Sequence, residues 1–464
     1  MKTTLPGKIT GRTALALAGI LLAAALAGCT GSAVTGGGTT AVTVTIGGAG
    51  SSAASAAVSS RSTPRPLAAA IPSTVTLIRF TISGAGIDNI VQTVPVTGAT
   101  MTVTLQVPSG PGRTILVEAL DSDGTPRYSG STLVDASGFA LAVTIDMAID
   151  PANPALQSWG VVASTVTMAA TLNRLAAGDG IVIAAGSMGE ILSSTTGDSW
   201  TSLTPGNISG DITALAFGNN TFLAMTSSFV ATSAPGYWTN HFFGATSDNV
   251  ANWTLRGSVP GIASPFSDIA FGAGTFVAVG GNNAFHSQDN GATWSPGTVS
   301  GVSFLSGVAY GNGRFVSVDA ASDNVAVSAN GSTWTTAAMG LTSAETLQSV
   351  GFGGGLFLVT TSTGDVYTSP DGVSWTKRTR FAELSGMDMS AIRTSYGAGA
   401  FLVVTGSPTQ MFFSFDSGGS WTSIDPFGGS YSIEDVLYWN GAFIGVGGEF
   451  AYPAYGVVFR SGEL

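Results

Sequence analysis

The sequence predicts an all-β chain: a seven-bladed β-propeller over residues 151–464, closed by an N-terminal strand and preceded by a small antiparallel β-sandwich at residues 73–150. Three observations carry this. Tryptophan recurs at a fixed step, with 41 residues separating Trp159 from Trp200, Trp253 from Trp294 and Trp334 from Trp375. Each of Trp200, Trp253, Trp294, Trp334, Trp375 and Trp421 follows a polar turn. That turn follows two β-type runs joined by Gly or Asn, as in Ala309-Tyr310-Gly311-Asn312-Gly313-Arg314-Phe315-Val316. The ends of the array are complementary. The last unit, from Ile433 to Gly462, has three strands and no closing Trp, while Ser158-Trp159-Gly160-Val161-Val162 is a Trp strand with no unit before it. Joining the two completes seven four-stranded units and leaves no raw sheet edge. A six-bladed ring is the competing count.

From the N-terminus, Lys2, Lys8 and Arg12 precede an apolar run from Ala14 to Ala27. This is the pattern of a secretory signal at residues 1–28, too short and too Ala-rich for a lasting membrane span. Leu26-Ala27-Gly28-Cys29 resembles a bacterial lipobox. The resemblance implies cleavage before Cys29 and acylation of that residue, so that the chain is anchored to a membrane of the cell envelope. Thr30 follows instead of the Asp that retains lipoproteins at the inner membrane, which implies the outer membrane where the cell has one. An ordinary secreted signal with a chance cysteine is the alternative. Cys29 is the single cysteine, which excludes a disulfide framework. Residues 29–72 are rich in Gly, Ser, Thr and Ala and read as a low-complexity tether, although Thr40 to Ile46 alternates as a strand would.

From Ser73 to Asp150 the alternation is strong, in Val75 to Ile82, Met101 to Val107, Thr114 to Leu120 and Leu141 to Ile145, with turn signals at Pro108-Ser109-Gly110-Pro111-Gly112 and Asp121-Ser122-Asp123-Gly124. Short strands at this spacing predict the sandwich. The stretch loosely resembles the immunoglobulin- or transthyretin-like modules of bacterial surface lipoproteins. Asp121, Asp123 and Asp135 read as turn-formers, since no spaced oxygen set of a calcium loop accompanies them. Pro151-Ala152-Asn153-Pro154 forms a short, stiff link to the propeller.

Only 9% of the residues are charged and the net charge is −11. A chain with so few basic residues has no footprint for phosphate backbones, which excludes nucleic acid as a partner. No metal set, nucleotide fingerprint or phosphate loop stands out, so no cofactor is expected.

The turns have a specific chemistry. Ser287, Asp289, Gly291 and Trp294 form one complete copy, and Ser414, Asp416, Gly418 and Trp421 another. Ser369, Asp371, Gly372 and Trp375 form a shortened copy, as do Ser328, Asn330, Gly331 and Trp334. Degenerate copies precede Trp200 and Trp253, the latter with Val250 where Gly belongs. Asp or Asn in such a turn can bond its own backbone, and Gly supplies the positive φ. The pattern resembles the Asp-box (BNR) repeat of sialidase-like β-propellers, over roughly residues 157–464. The resemblance implies that these turns are structural and join third to fourth strands on the rim. Sialidases of that superfamily also need three arginines, a Tyr–Glu pair, an Asp acid and an Arg-Ile-Pro signature. No Arg-Ile-Pro occurs, and Arg174, Arg256, Arg314, Arg378, Arg380, Arg393 and Arg460 do not make a triad, since Arg314, Arg378 and Arg380 are expected to point away from the axis. No catalytic residue is assigned.

Other propeller glycosidases need two carboxylates across a cleft. Glu190, Asp319, Asp323, Asp365, Glu383, Asp388, Asp435 and Glu449 lie near the expected ligand-side loops but are scattered one or two per unit. The period breaks once, where the second unit lengthens between Ser227 and Thr246. This stretch supplies Tyr237, Trp238, His241, Phe242 and Phe243 as candidate ligand-binding residues, with Tyr452 and Tyr455 of the last unit. The competing reading is that these aromatics bury themselves on the propeller. The functional expectation is a lipid-anchored, non-catalytic module binding glycan or protein. A surface glycosidase acting on polysaccharide is the alternative, and an assembly factor a third option.

Overall fold

The computed structural model describes residues 39–462 except 47–70, 72–74, 99–100, 145–147, 150–152, 166–169, 204, 232–235, 342–344, 382–390, 407–408 and 451–454. The signal segment, Cys29, Glu383, Asp388 and Tyr452 therefore lie outside the described residues.

Two sheets form the N-terminal sandwich. One has five strands, in the order Ile90–Pro95, Leu77–Ser83, Gly110–Leu120, Pro126–Ala136, Ala148–Ile149; the other has three, in the order Met101–Pro108, Thr39–Ile46, Leu141–Thr144. Strand alternation sends Ile78, Phe80, Ile82, Ile115 and Val117 into one core with Val42, Val44, Leu105 and Val107. Thr39–Ile46 is thus the central strand of its sheet, antiparallel to Met101–Pro108 and parallel to Leu141–Thr144. This corrects the tether at its middle. The buried side chains of Val42, Val44 and Ile46 give this stretch the apolar face that its Gly- and Ser-rich flanks lack. The sandwich begins at Thr39, and residues 47–70 connect two of its strands.

The remainder is a β-propeller. Among the described residues it comprises seven four-stranded antiparallel sheets. Six follow chain order, from Leu172–Gly178 in the first sheet to Thr422–Ile424 in the sixth. The seventh joins Tyr431–Trp439, Ala442–Glu449 and Gly456–Ser461, and takes its fourth strand from Trp159–Ser164, with Trp159 opposite Ser461 and Ser164 opposite Val457.

Neighbouring sheets are locked by an aromatic seated on a glycine. Phe217, Phe271, Tyr310, Phe352, Tyr396 and Tyr438, near the ends of first strands, lie over Gly178, Gly218, Gly272, Gly311, Gly353 and Gly397 of the preceding sheet. A Cβ on Gly272 would stand 2.1 Å from the Tyr310 ring, so only glycine permits the approach. Trp439 occupies the corresponding glycine position in the seventh sheet and packs in one cluster with Leu175 and Ala177 of the first.

A second device satisfies the innermost strands, whose inner edges have no strand partner. Asp268 Oδ2 accepts the Val308 N–H of the next sheet at 3.2 Å, and Asp435 Oδ2 accepts the Leu175 N–H at 2.9 Å. These are equivalent positions four residues ahead of Gly272 and Trp439, so the step from seventh sheet to first repeats the step from third to fourth.

The sandwich and the propeller share a core. One buried cluster runs from Val42, Phe80 and Tyr128 through Ala155 and Leu156 to Ala398, Ala400, Tyr438 and Phe459. Between them Asn153, fully buried, caps the single-turn helix Pro154–Gln157 by accepting the Ala155 N–H and ties it to Arg127 in both directions. Burial pushes the Tyr128 phenol up to about 12, and it raises the Tyr438 phenol further, with Tyr128 nearby adding to the shift.

Candidate functional site

The propeller has two sides. The turns between first and second strands share a side with the Ser-x-Asp turns: Asn312 Nδ2 donates to the carbonyls of Gly355 and Pro370, and Asn219 Nδ2 to Asn290 Oδ1. The connections between second and third strands, and those leading from sheet to sheet, emerge on the opposite side.

On the turn side the carboxylates are absorbed by their own loops. Asp289 Oδ1 accepts from Ser287 Oγ at 2.8 Å and from the Thr293 N–H at 2.9 Å, while Ser287 Oγ accepts the Gly291 N–H. Asp416 repeats this with Ser414, Ser420 and Gly418, and Asp371 with Ser369, Val373, Ser374 and Gly372. Burial would raise the Asp289 and Asp416 carboxyls, but these donors outweigh it and hold both below the ordinary value; the Ser374 and Val373 N–H groups do the same for Asp371. Trp294 Nε1 donates to the Gly291 carbonyl, and its ring stacks on Phe242 at 4.0 Å.

The acids on the connection side are also engaged. Fully buried Asp319 accepts the Ser303, Phe304 and Ala321 N–H groups and the Ser322 hydroxyl. Asp435 accepts the Leu175 and Val436 N–H groups with Arg393 Nε 3.6 Å away, and Asp365 pairs with Lys377 Nζ at 2.9 Å. Asp323 accepts the Gly340 N–H. Arg174 donates to the Thr213 carbonyl, Arg314 to the Asp371 carbonyl, Arg378 to Thr368 Oγ1 and Arg380 to the Thr363 carbonyl, so each of the four serves a different strand or turn.

The long stretch of the second unit is a strand extension. Its second strand, Thr221–Val230, has 10 residues where the first, third, fourth, fifth and sixth sheets have 6. Tyr237–Thr246 pairs with it residue for residue, and Thr254–Ile262 runs alongside through two register shifts. Four extra residues project the hairpin roughly 13 Å beyond its neighbours. Alternation then sorts the candidates. Phe242 is fully buried against Trp294 and Phe266, and Phe243 is buried towards the first sheet, so both are core residues, a correction to their reading as ligand contacts. Tyr237 and Trp238 sit on the projecting part and His241 at its base, all half-buried, with Ser228 Oγ and His241 Nε2 3.1 Å apart. Tyr455 is half-buried, and its carbonyl accepts the Glu449 N–H in the last unit.

Four exposed residues on this side are not among the candidate ligand contacts, although Phe229 and Phe450 lie within the two aromatic stretches that supplied them. Met188, Phe229, Phe304 and Phe450 are exposed by 55%, 55%, 42% and 64%. Phe229 lies against Trp238 at 5.3 Å and over Gly236, where a Cβ would be 2.4 Å from its ring. The available signals were the charge-free, lengthened hairpin that carries Phe229 and the aromatic connection of the last unit that carries Phe450. Met188 and Phe304 belong to short connections whose exposure follows from tertiary packing.

Among the described residues no group of three or more His, Cys, Asp or Glu is placed to hold a metal ion, and no helix is long and apolar enough to cross a membrane. A β-propeller domain family, DUF6242, matches residues 303–428, less than half of the chain. No curated protein matches it in sequence. Two solved structures are similar to it: YCF48 bound to D1 peptide, at 14% identity and a TM-score of 0.49, over 66% of this chain and 97% of that one; and the computationally designed Ika8 protein, at 10% identity and a TM-score of 0.45, over 66% and 99%. The domain match agrees with the propeller that the strand pairings build.

Proposed function

We propose that this chain is a lipid-anchored protein of the bacterial cell envelope whose propeller is a non-catalytic binding or assembly module for a protein or glycan. In this reading the seven sheets are blades of one ring of the Asp-box type, closed where Trp159–Ser164 completes the last. The observation that supports it is the use made of the carboxylates. Asp319, Asp365 and Asp435, which a hydrolase would turn on a substrate, are tied into backbone caps and ion pairs, while Met188, Phe229, Phe304 and Phe450 are exposed on the same side. No observation favours the glycosidase alternative. The sandwich shares its core with the turn side, through Ala398 and Ala400, so the connection side faces away from the sandwich. Membrane fractionation of wild type and Cys29→Ser tests the anchor: the variant is expected in the soluble fraction, and its retention in membranes would sink the reading.

A further inference from the structure

We propose that the connection side is a docking surface for an extended protein segment that carries apolar side chains flanked by Lys or Arg. The inference rests on the binding-module reading and names its ligand. Of the large apolar side chains exposed among the described residues of the propeller, Met188, Phe229, Phe304 and Phe450 are on this side, whereas Val161 and Leu255 lie on outermost strands and Val373 alone on the turn side; Ile90, Val91, Leu133 and Phe139 are exposed on the sandwich. Phe450, Met188 and Phe229 belong to the seventh, first and second sheets. The Asp435–Leu175 bond makes the seventh and first neighbours, so the three form one arc.

Each is held outward by a main-chain device. Met188 takes a left-handed φ of 58° that side chains rarely adopt, with its N–H fixed by Asp211 Oδ1 at 3.1 Å. The adjoining Gly189 has no room for a Cβ, which would stand 2.3 Å from the Ile208 carbonyl oxygen. Phe229 is seated on Gly236, and the Phe450 N–H bonds the Ser430 carbonyl at 3.2 Å. A pliable thioether between two aromatics, without charge among them, is the composition of the centre of a protein interface.

Charge selects the partner. The described stretches that carry these residues, 187–189, 226–231, 236–241, Phe450 and 455–456, contain no Asp, Glu, Lys or Arg. Around them stand Asp211, Glu434 and Glu449, while the nearby Arg174 and Arg393 serve the Thr213 carbonyl and Asp435. An apolar centre with an acidic rim, on a chain of net charge −11, complements an apolar segment with basic flanks and repels a second copy of itself.

The test uses the full-length chain in phosphatidylcholine nanodiscs and fluorescently labelled ten-residue peptides with a Leu/Phe centre, flanked by either Lys or Asp. Anisotropy is expected to show the Lys-flanked peptide binding at least tenfold tighter. Met188→Ser with Phe229→Ser and Phe450→Ser should weaken it tenfold or more, and Asp211→Asn with Glu434→Gln and Glu449→Gln should remove the preference between flanks. If the triple serine variant does not fold, Phe229→Ser alone is read, with at least a threefold loss expected. Equal affinity for both flanks, no peptide binding, or no response to the substitutions overturns the proposal. So does binding to neutral dextran that the serine variants abolish, which would put a glycan in its place. Failure of the peptide with membrane attachment through Cys29 intact removes this inference and leaves the anchored module standing.

Discussion

The two sides of the propeller are built from the same repeat and differ in what their polar groups do. On the turn side, Ser287 and Asp289, Ser369 and Asp371, and Ser414 and Asp416 bond back onto their own loops with nearly the same geometry. On the other side the connections differ from sheet to sheet, and four of them present a bare apolar side chain. The repetition marks residues needed for each sheet to form, and the variation marks where the chain is free to acquire a ligand. Substitutions on the shared framework should therefore cost stability, and those on the variable side should cost binding.

The largest stability effect is expected at the join between the last sheet and the first. Asp435→Ala removes a buried carboxylate, leaving the Leu175 N–H without its acceptor and taking away the negative charge 3.6 Å from Arg393 Nε. Breaking such a buried pair costs about 3–5 kcal/mol. Asp268→Ala breaks the equivalent tie between the third and fourth sheets, so urea unfolding of the two variants compares the contact between the last and first sheets with an internal one. A much smaller loss at Asp435 would mean that the ends of the array are not held as its interior is.

Next in size is the aromatic-on-glycine contact. Gly272→Ala drives a methyl into the Tyr310 ring, an overpacking worth about 3 kcal/mol. Gly206→Ala, where a Cβ meets nothing within 4 Å, is the control. Equal melting temperatures for the two would show that the ring shifts freely.

Asp319 sharpens the contrast through pH. Burial alone would raise its carboxyl, but the Ser303, Ala321 and Phe304 N–H groups and the Ser322 hydroxyl outweigh it and hold the group below 3.8. The folded chain thus binds this proton more weakly than the unfolded chain, so the stabilisation is complete above pH 4 or so and is lost as pH falls through the lowered folded value. Asp319→Asn should cost about 2 kcal/mol at neutral pH. It should also flatten the fall in melting temperature on acidification; an unchanged acid limb would sink that account.

Much of this was legible in the residues. The Trp step, the Ser-x-Asp turns and the unmatched Trp159 strand are local signals repeated often enough to outweigh each copy's degeneracy. Thr39–Ile46 was harder, because its strand partners lie some sixty and one hundred residues away and its neighbours in sequence argue for a tether. The aromatic insertion was visible as a break in period, but its register was not. A one-residue slip exchanges the faces of a strand, and only the pairing of Met225 with Phe242 and Phe229 with Trp238 shows which aromatics turn inward. Met188 had no signature, since its exposure depends on a left-handed φ held by Asp211 from the next sheet.

The smallest expected stability effect is the most informative about function. Phe229 is exposed by 55% and touches Trp238 and Gly236. Phe229→Ser exchanges an apolar surface for a polar one at a site already in water, so it should shift stability by no more than about 0.5 kcal/mol. A residue that contributes so little to folding, yet is seated on a glycine that no other residue could replace without moving it, is poorly explained as part of the scaffold. Thermal unfolding and peptide binding measured on the same preparation separate the two roles. A loss of stability of 2 kcal/mol or more would return Phe229 to the framework and make the projecting hairpin a device for covering Trp238. An unchanged melting temperature with weakened binding would place the residue on the variable side of the comparison.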